Sequence, residues 1–198
     1  MRRTAGLTAV PVMPAQTVPR VLPALVGVDI AEVSRVARAV ADHGDTYVRH
    51  VLTPAERAAC GSEATLVTAF LAMKECLIKA VGGRPAGFSW HDFDGRPDVS
   101  DGMPGRLDAS DGQATDLLDG QVTELLDEAA ERLRAGTGLP LEHQVIHRVR
   151  GASRQAALTR LDPAGAPTTS VIGVARWGRH GDTVIALALL VVDNRGVR

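Results

Sequence analysis

Apolar and polar positions along this chain fall into patterns that predict a mixture of strands and helices. Ala24-Leu-Val-Gly-Val-Asp-Ile-Ala31 is a short, nearly continuous apolar run and predicts a buried strand. Ser34 then caps a helix running to about His43, with Val33, Val36, Ala37 and Val40 apolar and Gly44 as its stop. Arg35 and Arg38 lie on its polar side. Thr53-Pro-Ala-Glu56 is a capping box with proline at the first helical position, so a further helix starts there. Thr65 to Val81 predicts a long helix ended by Gly82-Gly83. It is apolar on nearly all sides, the signature of a helix buried in a domain or an interface, and its only charges are Lys74, Glu75 and Lys79. Phe88 to Phe93 predicts a strand. Residues 94–120, rich in Asp, Gly, Ser and Pro, predict a mobile acidic loop, with early proteolysis expected over 94–112, followed by an amphipathic helix from about Gln121 to Ala135. His143 to Val149 alternates as a strand does, and Ala152 to Leu161 predicts a helix after Gly151. The end predicts a hairpin, with Val171 to Trp177 and Thr183 to Val192 joined by a turn through Gly178-Arg-His-Gly-Asp182.

Composition narrows the picture. A chain of 198 residues that is 45% hydrophobic and 23% charged can bury one core. A net charge of −1 excludes a generic nucleic-acid binder with a uniformly basic surface, and 3% aromatic residues argue against base-stacking platforms. No apolar run reaches the roughly 18 residues of a membrane span. Residues 1–23 carry Pro11, Pro14, Pro19 and Pro23 without periodicity and predict a flexible tail, leaving 24–198 as the folded unit. Cys60 and Cys76 lack metal-ligand spacing and fit a reducing, cytoplasmic setting. Lys is almost absent: Lys74 and Lys79 stand against 20 Arg. Arg serves everywhere else, so these two positions reflect either a need for a compact ammonium or a chance clustering.

Asp29 in an apolar strand and Glu75 on an apolar helix are the notable carboxylates. Burying a carboxylate is costly unless it is paired, hydrogen-bonded or bound to a cation. Two readings stand open. Glu75 and Lys79 form an i,i+4 ion pair while Asp29 caps the next helix, or the two carboxylates converge on a hard cation such as Mg²⁺. In the second case Lys74 and Lys79 would suit the oxygens of a diphosphate. His143 and His147 are four apart, but Gln144 breaks the metalloprotease pattern and the alternation favours a strand.

Two motifs carry a resemblance. Val26-Gly-Val-Asp-Ile-Ala-Glu-Val33 resembles the opening motif of the 4′-phosphopantetheinyl transferases. Phe70-Leu-Ala-Met-Lys-Glu-Cys-Leu-Ile-Lys-Ala-Val-Gly82 resembles their second motif, with Arg49 to Glu56 and Phe88 to Phe93 matching the text around it. The small Ala31, two after the aspartate, is similar to the holo-acyl-carrier-protein synthase branch. The match covers residues 25–93 well. Gly151 to Leu158 and the final hairpin match loosely, and residues 94–142 look like an acidic insertion. Where the family has Ser-x-Ser-His before the last strand, this chain has Arg176-Trp-Gly-Arg179-His180.

The resemblance implies an α+β fold in which an antiparallel sheet packs on a long buried helix. It implies transfer of the phosphopantetheine arm of coenzyme A to a carrier-protein serine. Asp29 and Glu75 would hold Mg²⁺, Glu75 would help deprotonate the serine, and Lys79 would contact phosphate. Lys74 would hold phosphate or support the helix, with both roles open. Arg179 or His180 would replace the missing motif at a CoA phosphate. Arg35, Arg38 and Arg49 would meet an acyl or peptidyl carrier protein, with a simple solvated face the other reading open for them, and the branch implies a homotrimer. The departure at 176–180 keeps a second reading open, a non-catalytic homologue that binds CoA or a carrier protein without transfer.

Overall fold

A computed structural model describes residues 23–97, 120–164 and 169–193. The tail at 1–22 and most of the acidic loop, 98–119, lie outside the described residues. Strand β1 (Ala24–Glu32) leads to helices α1 (Val33–His43), α2 (Asp45–Val51), α3 (Pro54–Cys60) and α4 (Ala64–Val81). Then come β2 (Phe93–Pro97), α5 (Gly120–Thr137), β3 (His143–Val149), α6 (Gly151–Leu161), β4 (Ser170–His180) and β5 (Thr183–Asp193). The strands form one antiparallel sheet in the order β1-β5-β4-β3-β2. This is an α+β architecture.

Local chemistry sets most boundaries. Thr53 accepts a hydrogen bond from the Glu56 N–H while the Glu56 carboxylate accepts one from Thr53, and Pro54 opens α3. Gly82 closes α4 in the left-handed region at φ 94°. Several expectations need correction. Helix α1 is capped not by Ser34 but by Asp182, whose carboxylate accepts from the Ser34 N–H at 3.0 Å and its hydroxyl at 2.6 Å. Helix α2 follows immediately after Gly44 and was not expected. Residues 88–92 are not a strand: Ser89 and Asp92 cap each other around a 3₁₀ turn, Trp90–Asp92, and the strand begins at Phe93. Residues 94–97, expected in the acidic loop, belong to that strand. The final turn is only Gly181-Asp182, because β4 continues through Gly178 to His180. A Cβ at Gly178 would lie 1.8 Å from the Pro140 carbonyl oxygen, so glycine there admits a crossing chain.

Both faces of the sheet are covered. On one, α4 packs with Ala31, Val184, Ala186, Ala188, Ala175 and Trp177. Every α4 residue is buried except Ala64, Glu75 and Lys79. On the other, α5 sets Val122, Leu126 and Ala130 against Ile172, Val174, Ile185, Leu187 and Leu189. Arg176 on that face pairs with Asp127 of α5. Strand β1 is an edge and is not fully buried as expected. Its inner face meets α4, while Val26, Val28 and Ile30 remain 54%, 36% and 58% exposed.

A buried polar network sits on the far side of α4 from β1. The Lys74 ammonium is wholly enclosed, 2.7 Å from Glu56 and donating to the carbonyls of Val51 at 2.9 Å and Trp90 at 3.0 Å. Burial holds its proton affinity below the ordinary lysine value, and the Glu56 charge offsets only part of that. Glu56 also accepts from the Gly95 N–H at 2.7 Å. His147 lies beside this pair and is fully buried. Its strand neighbours in register are Gly95 and Gly173, and a Cβ at Gly95 would lie 2.8 Å from His147 Nε2.

Two tests follow from this packing. A Cβ at Gly27 would lie 1.9 Å from the Cys76 carbonyl oxygen, so the backbones of β1 and α4 touch there. Gly27→Ala should therefore destabilise the fold by about 1–3 kcal/mol, the usual cost of overpacking, in urea denaturation. Val26→Ala on the open face should stay within about 0.5 kcal/mol of wild type.

The second concerns acid. Burial, reinforced by Lys74, holds His147 down at about 3 from its ordinary 6.5. The unfolded chain takes up a proton near 6.5 and the folded chain does not, so stability falls as pH drops from there toward 3. His147 should contribute roughly a tenfold loss in the folding equilibrium per pH unit in that window. His147→Leu should flatten the acid slope measured by denaturation at pH 7 and pH 5; an unchanged slope would refute the assignment.

Candidate functional site

Where β1 runs along the exposed side of α4, charged side chains from both elements meet. Asp29, in register with Ala186 of β5, points to the α4 face and is 17% exposed. Its carboxylate accepts from the Lys79 ammonium at 2.7 Å, and Lys79 also donates to the Val28 carbonyl at 3.0 Å. The bond to Asp29 chiefly, and the charges of Asp29 and Glu75, raise the proton affinity of Lys79. Glu75 lies one helical turn before Lys79 on the same face. Its partner is Arg84, at 3.4 Å. Cation and anion thus alternate along the groove as Arg84, Glu75, Lys79 and Asp29.

Neither simple pairing read from the sequence holds. Glu75 is bonded to Arg84 rather than Lys79, and Asp29 holds a lysine rather than capping a helix. Asp29 bonds the Lys79 ammonium and Glu75 lies near enough to raise its proton affinity, so two oxygen donors of the kind a hard divalent cation takes lie near one lysine.

The remaining candidates divide. Lys74 is not offered to a ligand: its ammonium is spent on Glu56, Val51 and Trp90, so supporting the helix is the role its geometry allows. Arg179 donates to the Gly181 carbonyl at 2.7 Å and to Thr65 Oγ1 at 2.6 Å. Thr65 is ten residues before Glu75 on α4, about 15 Å away at 1.5 Å per residue. The chain therefore does not bring Arg179 to the carboxylates. His180 is exposed at the end of β4, and Arg176 faces α5, away from the site. Arg35 and Arg38 are exposed on α1, and Arg49 is paired with Asp45. His143 stacks on Trp177 with ring centroids 4.5 Å apart, and no cluster of three or more metal-ligating side chains occurs among the described residues.

Two neighbours went unnoticed in the sequence. Tyr47 of α2 is half-buried close enough to Arg35 and Glu75 to feel both charges; burial chiefly raises the pKa of its phenol. Arg84 reaches the site because Gly82 and Gly83, at φ 94° and 117°, reverse the chain after α4. Neither contact has a sequence spacing that would flag it. Both cysteines are free and buried, and burial pushes the Cys60 thiol up to about 12.

The family model for the 4′-phosphopantetheinyl transferase superfamily matches residues 25–117. The holo-[acyl-carrier-protein] synthase of Koribacter versatilis is 42% identical over 72 residues, 34% of this chain and 58% of that protein. That of Chlorobaculum tepidum is 34% identical over 85 residues, 38% of this chain and 73% of that protein. The chain thus spans a little over half of the Koribacter relative and 63% of one from Roseiflexus. Among solved structures, the Helicobacter pylori holo-[acyl-carrier-protein] synthase in complex with coenzyme A aligns with a TM-score of 0.51 at 14% identity, covering 85% of this chain and 99% of that one. An apo structure of the Chronobacterium synthase gives 0.50 at 19% identity, covering 84% and 95%. On the Chlorobaculum relative, 34% identical and covered over 73% of its length, together with the family model, this chain belongs to the 4′-phosphopantetheinyl transferase superfamily.

Proposed function

We propose that this chain is a holo-[acyl-carrier-protein] synthase. It transfers the 4′-phosphopantetheine arm of coenzyme A to a serine of an apo acyl or peptidyl carrier protein and releases adenosine 3′,5′-bisphosphate. The observation that carries this reading is the Lys79–Asp29 bond between α4 and β1, with the charge of Glu75 one turn before Lys79 also acting on that ammonium. Oxygen-only donors fit Mg²⁺, and these two carboxylates would hold it. Bound there, the ion would supply charge neutralisation for the diphosphate.

The chain's own groups would do the rest. Glu75 accepts the proton of the carrier serine as its Oγ forms a bond to phosphorus and the bond to the bisphosphate breaks. Lys79 gives up Asp29 and donates to phosphate oxygens as negative charge shifts to the leaving group. Arg35 and Arg38, exposed on α1, and Arg49 beyond them offer cations to an acidic carrier helix. Arg179 and His180 are proposed contacts for the nucleotide end of CoA, given their distance from the carboxylates. Homotrimeric assembly is part of the proposal and is supported by the uncovered stripe Val26, Val28 and Ile30. A cytoplasmic setting is supported by the two buried free thiols.

A second reading, binding of CoA or a carrier protein without transfer, is favoured by one observation. At the place of the family's Ser-x-Ser-His, Arg179 is already engaged within its own chain. Incubation with CoA, Mg²⁺ and several apo carrier proteins separates the two: the mass gain of the arm supports transfer, and CoA binding without it supports the second reading.

Within the transfer reading, Asp29→Ala and Glu75→Gln should each abolish turnover while leaving the urea midpoint near wild type. The loss should fall on kcat, because both groups act on charge that develops during reaction. Near-wild-type kcat in both variants would remove the carboxylate pair from the mechanism.

A further inference from the structure

The loop after α4 places one more cation at the site. The guanidinium carbon of Arg84 lies 4.7 Å from the centroid of the Trp90 ring and 5.5 Å from that of Phe88. Those two rings meet edge to face with centroids 5.7 Å apart. A cation on two aromatic faces is attracted by their quadrupoles and loses much of its rotamer freedom. Among the described residues, its one hydrogen-bond partner is Glu75, at 3.4 Å, a long contact for a charged pair. A guanidinium has five donors, and the Arg84 side chain is 54% exposed. Most of the fork is therefore oriented and free.

A divalent cation on Glu75 would share that carboxylate with the Arg84 guanidinium, and the two positive charges would repel each other. A ligand that brings both the metal and phosphate oxygens resolves the conflict. Resting on the transferase reading above, we propose that Arg84 is a phosphate-binding residue of this site. Glu75 and the Phe88–Trp90 platform store the guanidinium until CoA arrives, and it then moves from Glu75 to a diphosphate oxygen. The planar fork suits a phosphate edge while still lying on the rings, which a lysine ammonium does not do.

The proposal predicts effects of opposite sign on two ligands. Removing the charge of Arg84 frees Glu75 of its resident counter-ion, so Arg84→Gln should bind Mg²⁺ alone a few-fold more tightly. The same variant should bind CoA, in saturating Mg²⁺, about tenfold more weakly, with Arg84→Lys recovering only part of the loss. Calorimetric titration of wild type and both variants reads all of these values. Equal CoA affinity in wild type and Arg84→Gln overturns the proposal while leaving the transferase reading intact. Weakened binding of both Mg²⁺ and CoA also overturns it, because a purely structural arginine would damage the whole site. Failure of the wild type itself to bind CoA overturns the transferase reading and this inference together.

Discussion

The approach of one backbone to another at Gly27 fixes the geometry of everything at the site. A side chain there would hold β1 away from α4. Without one, the strand lies on the helix closely enough for Lys79 to reach both the Val28 carbonyl and the Asp29 carboxylate. Cys76 adds to the same seam, its thiol donating to the Ala186 carbonyl at 3.1 Å on the neighbouring strand. A glycine two residues before the aspartate is thus a packing requirement, and the position of a charged side chain follows from it.

The two lysines explain each other. Five residues apart on a helix, they point about 140° away from one another. Lys74 turns into the molecule and meets three acceptors converging on a volume that a planar guanidinium would overfill. Lys79 turns outward, half exposed, and bonds Asp29. Breaking the Lys74–Glu56 pair by removing one partner would leave an uncompensated charge in the core, so the pair holds α4 in a single rotation. Glu75 is the next residue after Lys74, and its direction toward the groove is set by that same buried anchor. The compact-ammonium preference legible in the composition therefore has two distinct physical origins.

What was legible in the sequence was local. The Thr53–Glu56 box, the run of α4 to Gly82, the amphipathic α5 and the paired motifs around Asp29 and Glu75 all declare themselves through periodicity, capping or resemblance. What was not legible depended on partners far along the chain. The apolar run of β1 reads the same whether one face or both are covered, and only its edge position leaves Val26, Val28 and Ile30 open. Ser34 reads as a cap, yet Asp182, from the far end of the chain, fills that role. Phe88 to Asp92 has strand-like residues, but the reciprocal Ser89–Asp92 bonds bend it into a 3₁₀ turn. Arg84 is one arginine among 20 in the sequence, and only the glycine pair before it and the two rings beside it give it a place.

The order of strands in the sheet bears on how the polypeptide reaches its final form. Strand β1 and helix α4, which carry the charged groove, are synthesised before the rest. Their sheet partner is β5, so Ala24 waits for Val191 and Asp29 for Ala186. The tight β4–β5 hairpin forms from neighbours in sequence, but the β1–β5 pairing closes a loop of nearly the whole described chain, and such distant pairings form slowly. The amino-terminal half therefore leaves the ribosome without the surface it needs to complete itself. The groove therefore cannot complete its sheet pairing before β5 has emerged, and until then the nascent chain carries its apolar helix uncovered.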